Sequence, residues 1–196
     1  MQIFIDSASV GEIVKWLEMG VIDGVTTNPT IMLQDGVYDV EAGIRTISTL
    51  IDPLPVCVEV TTDEPDSMVA QARRFASWTP NIVIKIPHIT SSGVPCYGVI
   101  RELEADGIRV NATAAMSLGQ VILAAKAGAT YISLFSGRIA DEGGNAPEVI
   151  GMAVEWLERW QFKSKVVVGS IRSVGDVLNA VMAGAHVVTI PPPVSG

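Results

Sequence analysis

The sequence predicts a closed parallel (β/α)8 barrel, a TIM barrel, and three observations carry that expectation. Short β-rich runs alternate with amphipathic stretches from one end of the chain to the other, the signature of repeated β–α units. Eight such runs are present, the number that closes a parallel barrel. Gly107, Gly128 and Gly184 stand where a helix must stop before the next strand begins. No Ser/Pro-rich linker or low-complexity block interrupts the pattern, so residues 1–196 are read as one domain.

The strands are expected over Gln2–Asp6, Asp23–Thr27, Pro55–Val60, Asn81–Ile86, Ile108–Thr113, Thr130–Phe135, Lys165–Gly169 and His186–Ile190. Helix-like segments between them include Ser9–Met19, Glu64–Trp78, Leu118–Ala127, Ala146–Trp160 and Ser173–Ala183. After the eighth strand the chain reads Pro191-Pro192-Pro193-Val194-Ser195-Gly196. Consecutive prolines favour the extended polyproline form, so the eighth covering helix is expected to be missing. An uncovered eighth strand would expose an apolar flank, which predicts a homo-oligomer.

Composition narrows the function classes. With 48% apolar residues, much of the chain must be buried. No apolar run reaches the roughly 18 residues of a membrane span, and the opening Met1-Gln2-Ile3-Phe4-Ile5-Asp6 lacks the basic start of a signal peptide. Cys57 and Cys96 form neither a C-x-x-C pair nor a disulfide framework, which points to a reduced, cytoplasmic protein. A net charge of −8 argues against nucleic acid or an acidic membrane surface as partner. It does not oppose a small anionic ligand, because two well-placed arginines dominate the field of a cleft. His88 and His186 have no ligand-like spacing, so no metal site is expected.

Side chains on a strand alternate between faces, and parity therefore separates the helix-facing residues from those facing the barrel axis. In the fourth strand Ile82, Ile84 and Ile86 oppose Asn81, Val83 and Lys85. In the third, Val56, Val58 and Val60 oppose Cys57 and Glu59; in the fifth, Ile108, Val110 and Ala112 oppose Arg109, Asn111 and Thr113. Glu59, Lys85, Asn111 and Thr113 thus converge at the C-terminal mouth, where barrel enzymes keep their active sites. Asp6 ends the first strand and Asn28 follows the second, so both reach the same place. Lys85 alone could be half of an internal salt bridge. A carboxylate, an amine and several amides meeting at the mouth favour function, since burying charge is costly. Of five lysines only Lys85 lies inside an apolar strand. Desolvation there is expected to lower its pKa and supply a neutral amine able to attack a carbonyl.

The run Val168-Gly169-Ser170-Ile171-Arg172 leaves the seventh strand, where barrels commonly hold phosphate. Gly169 admits an anion to the backbone, while Ser170 and Arg172 offer a hydroxyl and a fork of donors. Arg138, just past the sixth strand, supplies a second clamp.

The runs Phe4-Ile5-Asp6, Gly24-Val25-Thr26-Thr27-Asn28-Pro29-Thr30, Ile84-Lys85-Ile86-Pro87, Asn111-Ala112-Thr113, Ser133-Leu134-Phe135-Ser136-Gly137-Arg138 and Ser170-Ile171-Arg172 resemble the transaldolase family. They look most like its small-subunit branch, which includes the fructose-6-phosphate aldolases. The resemblance spans nearly the whole chain, in order. It implies that Lys85 forms a Schiff base with a sugar ketone and that Asp6 removes a hydroxyl proton during carbon–carbon cleavage. It further implies that Glu59 serves as acid and base through a water held by Thr113. Asn28 and Asn111 would hold the hydroxyls of the three-carbon unit, with Ser133 and Phe135 lining the same pocket. Arg138, Ser170 and Arg172 would grip phosphate.

The implied reaction moves a dihydroxyacetone unit from a ketose phosphate, fructose 6-phosphate or sedoheptulose 7-phosphate, to an aldose phosphate. The imine is its own electron sink, so no cofactor is expected. Two rival readings are an aldolase that releases dihydroxyacetone and a non-catalytic barrel that binds sugar phosphates. In the resemblance, glutamate and phenylalanine at Glu59 and Phe135 accompany transaldolases, whereas the aldolase branch has glutamine and tyrosine. Three features depart from the family pattern: Leu134 where proline is usual, a longer segment over His88–Tyr97, and the Ala140–Asn145 loop.

Overall fold

A computed structural model describes residues 1–192. Its eight strands close a barrel in sequence order, every neighbouring pair parallel and β8 returning to β1. The order is β1 (Gln2–Asp6), α1 (Val10–Glu18), β2 (Gly24–Thr26), α2 (Pro29–Gln34), α3 (Val40–Ile51), β3 (Val56–Glu59), α4 (Pro65–Ala76) and β4 (Ile82–Pro87). There follow α5 (Tyr97–Ala105), β5 (Val110–Ala115), α6 (Leu118–Ala127), β6 (Tyr131–Phe135), α7 (Ser136–Asp141), α8 (Ala146–Arg159), β7 (Lys165–Gly169), α9 (Val174–Met182) and β8 (Val187–Ile190). The expected strands are all present within a residue or two of their predicted ends. Residues 193–196, on which the expectation of a missing eighth helix bears, lie outside the described residues. No helix among the described residues is long and apolar enough to cross a membrane.

Local chemistry explains the helix boundaries. Ser9, Asn28, Asp39, Ser117, Asn145 and Ser173 each accept a hydrogen bond from an orphan backbone N–H at a helix start. Gly128 ends α6 in the left-handed region, at φ 96°, where a Cβ would be strained.

Two apolar layers result, and they separate by strand parity. The helix-facing layer contains Val56, Val58, Ile82, Ile84, Ile86, Val110 and Ala112, packed against buried helix positions such as Ile44, Ile47, Met68, Ile100 and Leu103. Inside the barrel a smaller cluster joins Phe4, Cys57, Val83, Tyr131, Val167 and Val187. Gly24 completes this floor, because the Phe4 ring fills the space a Cβ would need; the nearest ring atoms would lie 2.8 Å away.

Each floor residue predicts what stands above it. Two positions further along the same strands come Asp6, Glu59, Lys85, Ser133, Gly169 and Thr189, with Thr26 above Gly24. The lower layer is a packed plug and the upper layer is polar, so the polar groups of the barrel interior gather at its C-terminal mouth.

One residue assigned to the axis face by parity lies elsewhere. Asn81 precedes β4, and its amide donates to the carbonyls of Ser48 in α3 and Leu54 in the turn after it, both at 2.9 Å. Strand parity does not apply to Asn81, which is not yet in the sheet. Arg109 precedes β5 and reaches the Pro80 carbonyl, while its charge acts on Cys57 and Tyr131 of the floor, as parity predicts. In β5 the pairing shifts between Ala112 and Ala115, with Ala114 at φ 65°. This bulge lies at the mouth, next to Thr113.

Candidate active site

Lys85 is the centre of the polar layer. It is 6% exposed, and its Nζ donates to Glu59 Oε2 at 2.8 Å and to the Thr27 carbonyl at 2.9 Å. Register makes the pair: Glu59 and Lys85 are direct partners across β3 and β4, and Lys85 in turn faces Asn111 on β5.

Asp6 approaches from the opposite side of the mouth. The Thr26 hydroxyl donates to its Oδ1 at 2.7 Å and also bonds the Thr189 hydroxyl. With the Thr26 proton committed to the carboxylate, Thr189 must be the donor in the second bond. Burial pushes the Asp6 carboxyl above the ordinary aspartate value of 3.8, against the Thr26 bond and the Lys85 charge; Glu59 and Asp35 push it further up. Asp35 also ties down the turn after β1, accepting from Ser7 Oγ and the Ala8 N–H at 2.9 and 2.7 Å.

Each amide is oriented by a hydrogen bond to its oxygen. Asn28 caps α2 through its Oδ1, which accepts from the Ile31 N–H at 2.9 Å, so its NH2 remains available to the cavity. Asn111 Oδ1 accepts from Ser133 Oγ at 2.8 Å and its NH2 donates to Cys57 Sγ at 3.9 Å, which leaves one of its two N–H donors for the cavity. The Thr113 hydroxyl is buried without a protein partner among the described residues. Such a group costs about 1–3 kcal/mol unless water or a ligand satisfies it.

These groups surround a cavity of about 200 Å³. Asp6, Asn28, Lys85, Asn111, Thr113, Ser133, Phe135, Arg138 and Ser170, all expected from the sequence, line it together with Thr26, Gly169 and Thr189. Glu59 reaches the site through Lys85 and borders an adjoining apolar cavity at Met32 and Tyr38. Arg172 is absent from the lining; its guanidinium pairs with Asp141, Nη1 and Nη2 lying 2.6 and 2.7 Å from the two carboxylate oxygens. Thr26 and Thr189 were not singled out from the sequence. The floor positions Gly24 and Val187 are the signal that finds them.

Both cysteines are free and buried. Burial pushes the Cys57 thiol up to about 11, which leaves it protonated. Among the described residues no cluster of three or more His, Cys, Asp or Glu side chains could hold a metal ion. His88 is buried edge-on to Tyr97, close to the Ala112 backbone but without hydrogen-bonding geometry to it. Burial holds its pKa down at about 4.

Fold and site define a parallel (β/α)8 barrel with a buried amine, two carboxylates and oriented amides at its mouth. Comparison with known proteins makes the class specific. The sequence profile of the Transaldolase/Fructose-6-phosphate aldolase family matches residues 3–195, and the chain belongs to that family. A probable transaldolase from Lactiplantibacillus plantarum is 40% identical over 196 residues, covering 100% of this chain and 88% of the relative. A second, probable transaldolase 2 from Listeria monocytogenes, is 42% identical over 191 residues, covering 97% of this chain and 85% of the relative. Among solved structures, a thiamine phosphate pyrophosphorylase from Pyrococcus furiosus superposes with a TM-score of 0.65 at 15% identity, covering 97% of this chain and 85% of the other. A 2,3-dimethylmalate lyase gives 0.63 at 16%, covering 96% and 75%. Those two likenesses concern the barrel alone.

Proposed function

We propose that this protein is a transaldolase, transferring a dihydroxyacetone unit from a ketose phosphate to an aldose phosphate. The observation that carries the reading is the Lys85 amine, buried at the mouth and in contact with Glu59 at 2.8 Å. Fructose 6-phosphate or sedoheptulose 7-phosphate is the donor and erythrose 4-phosphate a suitable acceptor for it.

In this mechanism Nζ of Lys85 attacks the C2 ketone, and loss of water forms the iminium. Glu59 moves the protons of that step, with Thr113 placed to hold the water. Asp6 then takes the C4 hydroxyl proton, the C3–C4 bond breaks, and its electron pair passes into the iminium to give an enamine. An aldose phosphate leaves. The enamine carbon attacks the acceptor carbonyl, Asp6 returns the proton, and hydrolysis frees the product and Lys85. Asn28 and Asn111 offer the amide donors that hold the hydroxyls of the three-carbon unit.

Transfer rather than release is supported by Phe135, half-buried in the cavity wall. Releasing dihydroxyacetone requires protonation of the enamine, and a phenyl ring cannot donate. The expected result is rapid exchange between fructose 6-phosphate and erythrose 4-phosphate, with only slow release of dihydroxyacetone when no acceptor is present. Phe135→Tyr should raise that release measurably, because the phenol supplies a proton donor that the phenyl ring lacks. Free release by the unaltered protein without acceptor would make it an aldolase instead.

Self-association belongs to the same reading. Val174, Leu178, Val181 and Met182 stand exposed along α9, an apolar row that water disfavours. Light scattering should report a homo-oligomer at micromolar concentration, and a stable monomer would contradict it.

A further inference from the structure

Arg172 raises a question that the phosphate-grip reading leaves open, because its terminal nitrogens are already bound. Nη1 and Nη2 meet the two oxygens of Asp141 end-on, at 2.6 and 2.7 Å. A guanidinium carries five N–H donors in one plane. An end-on carboxylate uses two of them and leaves the edge formed by Nε–H and the neighbouring terminal N–H.

That free edge lies beside Ser170, a residue of the cavity wall. A Cβ built on Gly137 would come within 2.8 Å of both Arg172 Nε and Ser170 Oγ, and within 2.4 Å of the Ser170 carbonyl. Gly137, which donates to that carbonyl at 3.2 Å, is therefore glycine because three groups converge on it. Ser170, at φ 58°, lines the cavity beside Arg138. The Arg172 backbone is fixed as well, its N–H donating to Asp176 Oδ2 at 2.9 Å.

The Arg172–Asp141 pair adds little to folding. Its side chains are 50% and 43% exposed, and ion pairs in that setting are largely screened. Its effect is geometric. An exposed arginine with no partner samples many rotamers, whereas this one is held at its far end by a residue of the same short helix that carries Arg138 into the cavity. Arg172 in turn keeps the Asp141 carboxyl below the usual carboxylate range.

We propose that Asp141 is a positioning residue for the phosphate seat: by gripping the far end of Arg172 it presents the Nε edge, beside Ser170 and Arg138, to the phosphate of the bound sugar. The inference rests on the reading that this end of the cavity takes phosphate, and it adds a carboxylate to an anion site as a specificity determinant.

The test uses the full chain, with inorganic phosphate as a calorimetric probe and KM values for fructose 6-phosphate and unphosphorylated fructose as the kinetic readout. Asp141→Ala should weaken phosphate binding about tenfold. It should raise KM for the phosphorylated ketose by a similar factor relative to the unphosphorylated one, with kcat much less affected. Asp141→Asn, which keeps one oxygen for Arg172, should fall between. Tighter phosphate binding in Asp141→Ala would make the carboxylate a competitor for the arginine, and equal binding would make it a bystander; either result overturns the proposal. Arg138→Ala separates the two layers of the argument. If it loses phosphate while Asp141→Ala does not, the seat stands and the positioning role falls. If both variants bind phosphate as the parent does, the seat itself is elsewhere and the inference falls with it.

Discussion

Lys85→Met should abolish transfer, lowering turnover by at least about three orders of magnitude, while the barrel stays folded. The size of the effect follows from the role. An amine that becomes part of the intermediate cannot be replaced by a thioether, and no other lysine reaches the cavity lining. The fold should survive because methionine fills similar space among Ile84, Val83 and Ile86, and Glu59, 30% exposed on its side chain, can be satisfied by solvent once its partner is gone. The direct measurement is borohydride reduction in the presence of fructose 6-phosphate, followed by peptide mass spectrometry. The adduct should map to Lys85 in the parent protein and be absent from the variant. An adduct on Lys15, Lys126, Lys163 or Lys165 would sink the mechanism, and circular dichroism of the variant excludes a folding defect.

Much of this site was legible because a parallel barrel obeys a simple rule. Once strands are located, alternation assigns each residue to the helices or to the axis, and position along the strand assigns it to floor or mouth. Val83 and Lys85 show both steps: the same face, two residues apart, one in the apolar plug and the other in the site. The rule fails where the residue is not yet in the sheet, as with Asn81, whose side chain is drawn away to neighbouring carbonyls. It also went unused at β2 and β8, where Gly24 and Val187 point to Thr26 and Thr189.

Other gaps have different physical causes. The six-residue helices α2 and α7 are too short for a helical period to stand out, and each begins at a residue the site also uses, Asn28 and Phe135. The longer α3 carries buried Ile44, Ile47, Ser48 and Ile51 at helical spacing, a signal that the sequence does hold. Arg172 could be placed near the mouth by its strand but not aimed, because its orientation depends on Asp141, 31 residues away in sequence.

Asp6→Asn should cost about 10²- to 10⁴-fold in transfer, the range of a lost general base. Asparagine keeps the shape and an oxygen that can still accept from Thr26, so the loss reports the missing base rather than a rearranged mouth. The step affected is specific. In the proposed mechanism Asp6 acts on the C4 hydroxyl, after the iminium has formed, whereas Lys85 acts before it. Borohydride should therefore still trap an adduct at Lys85 in Asp6→Asn, although carbon–carbon cleavage is slow. The parent protein supplies a second check through pH. Asp6 must be ionised to accept the proton, and burial holds its carboxyl above the ordinary 3.8. Activity should thus fall as pH drops through that raised value, placing the acid limb of kcat above the usual carboxylate position. Thr26→Val removes the hydrogen bond that opposes the shift, and should move the limb to still higher pH. An Asp6→Asn protein retaining more than about a tenth of parental transfer would assign the proton to another group, since general-base losses run well beyond that.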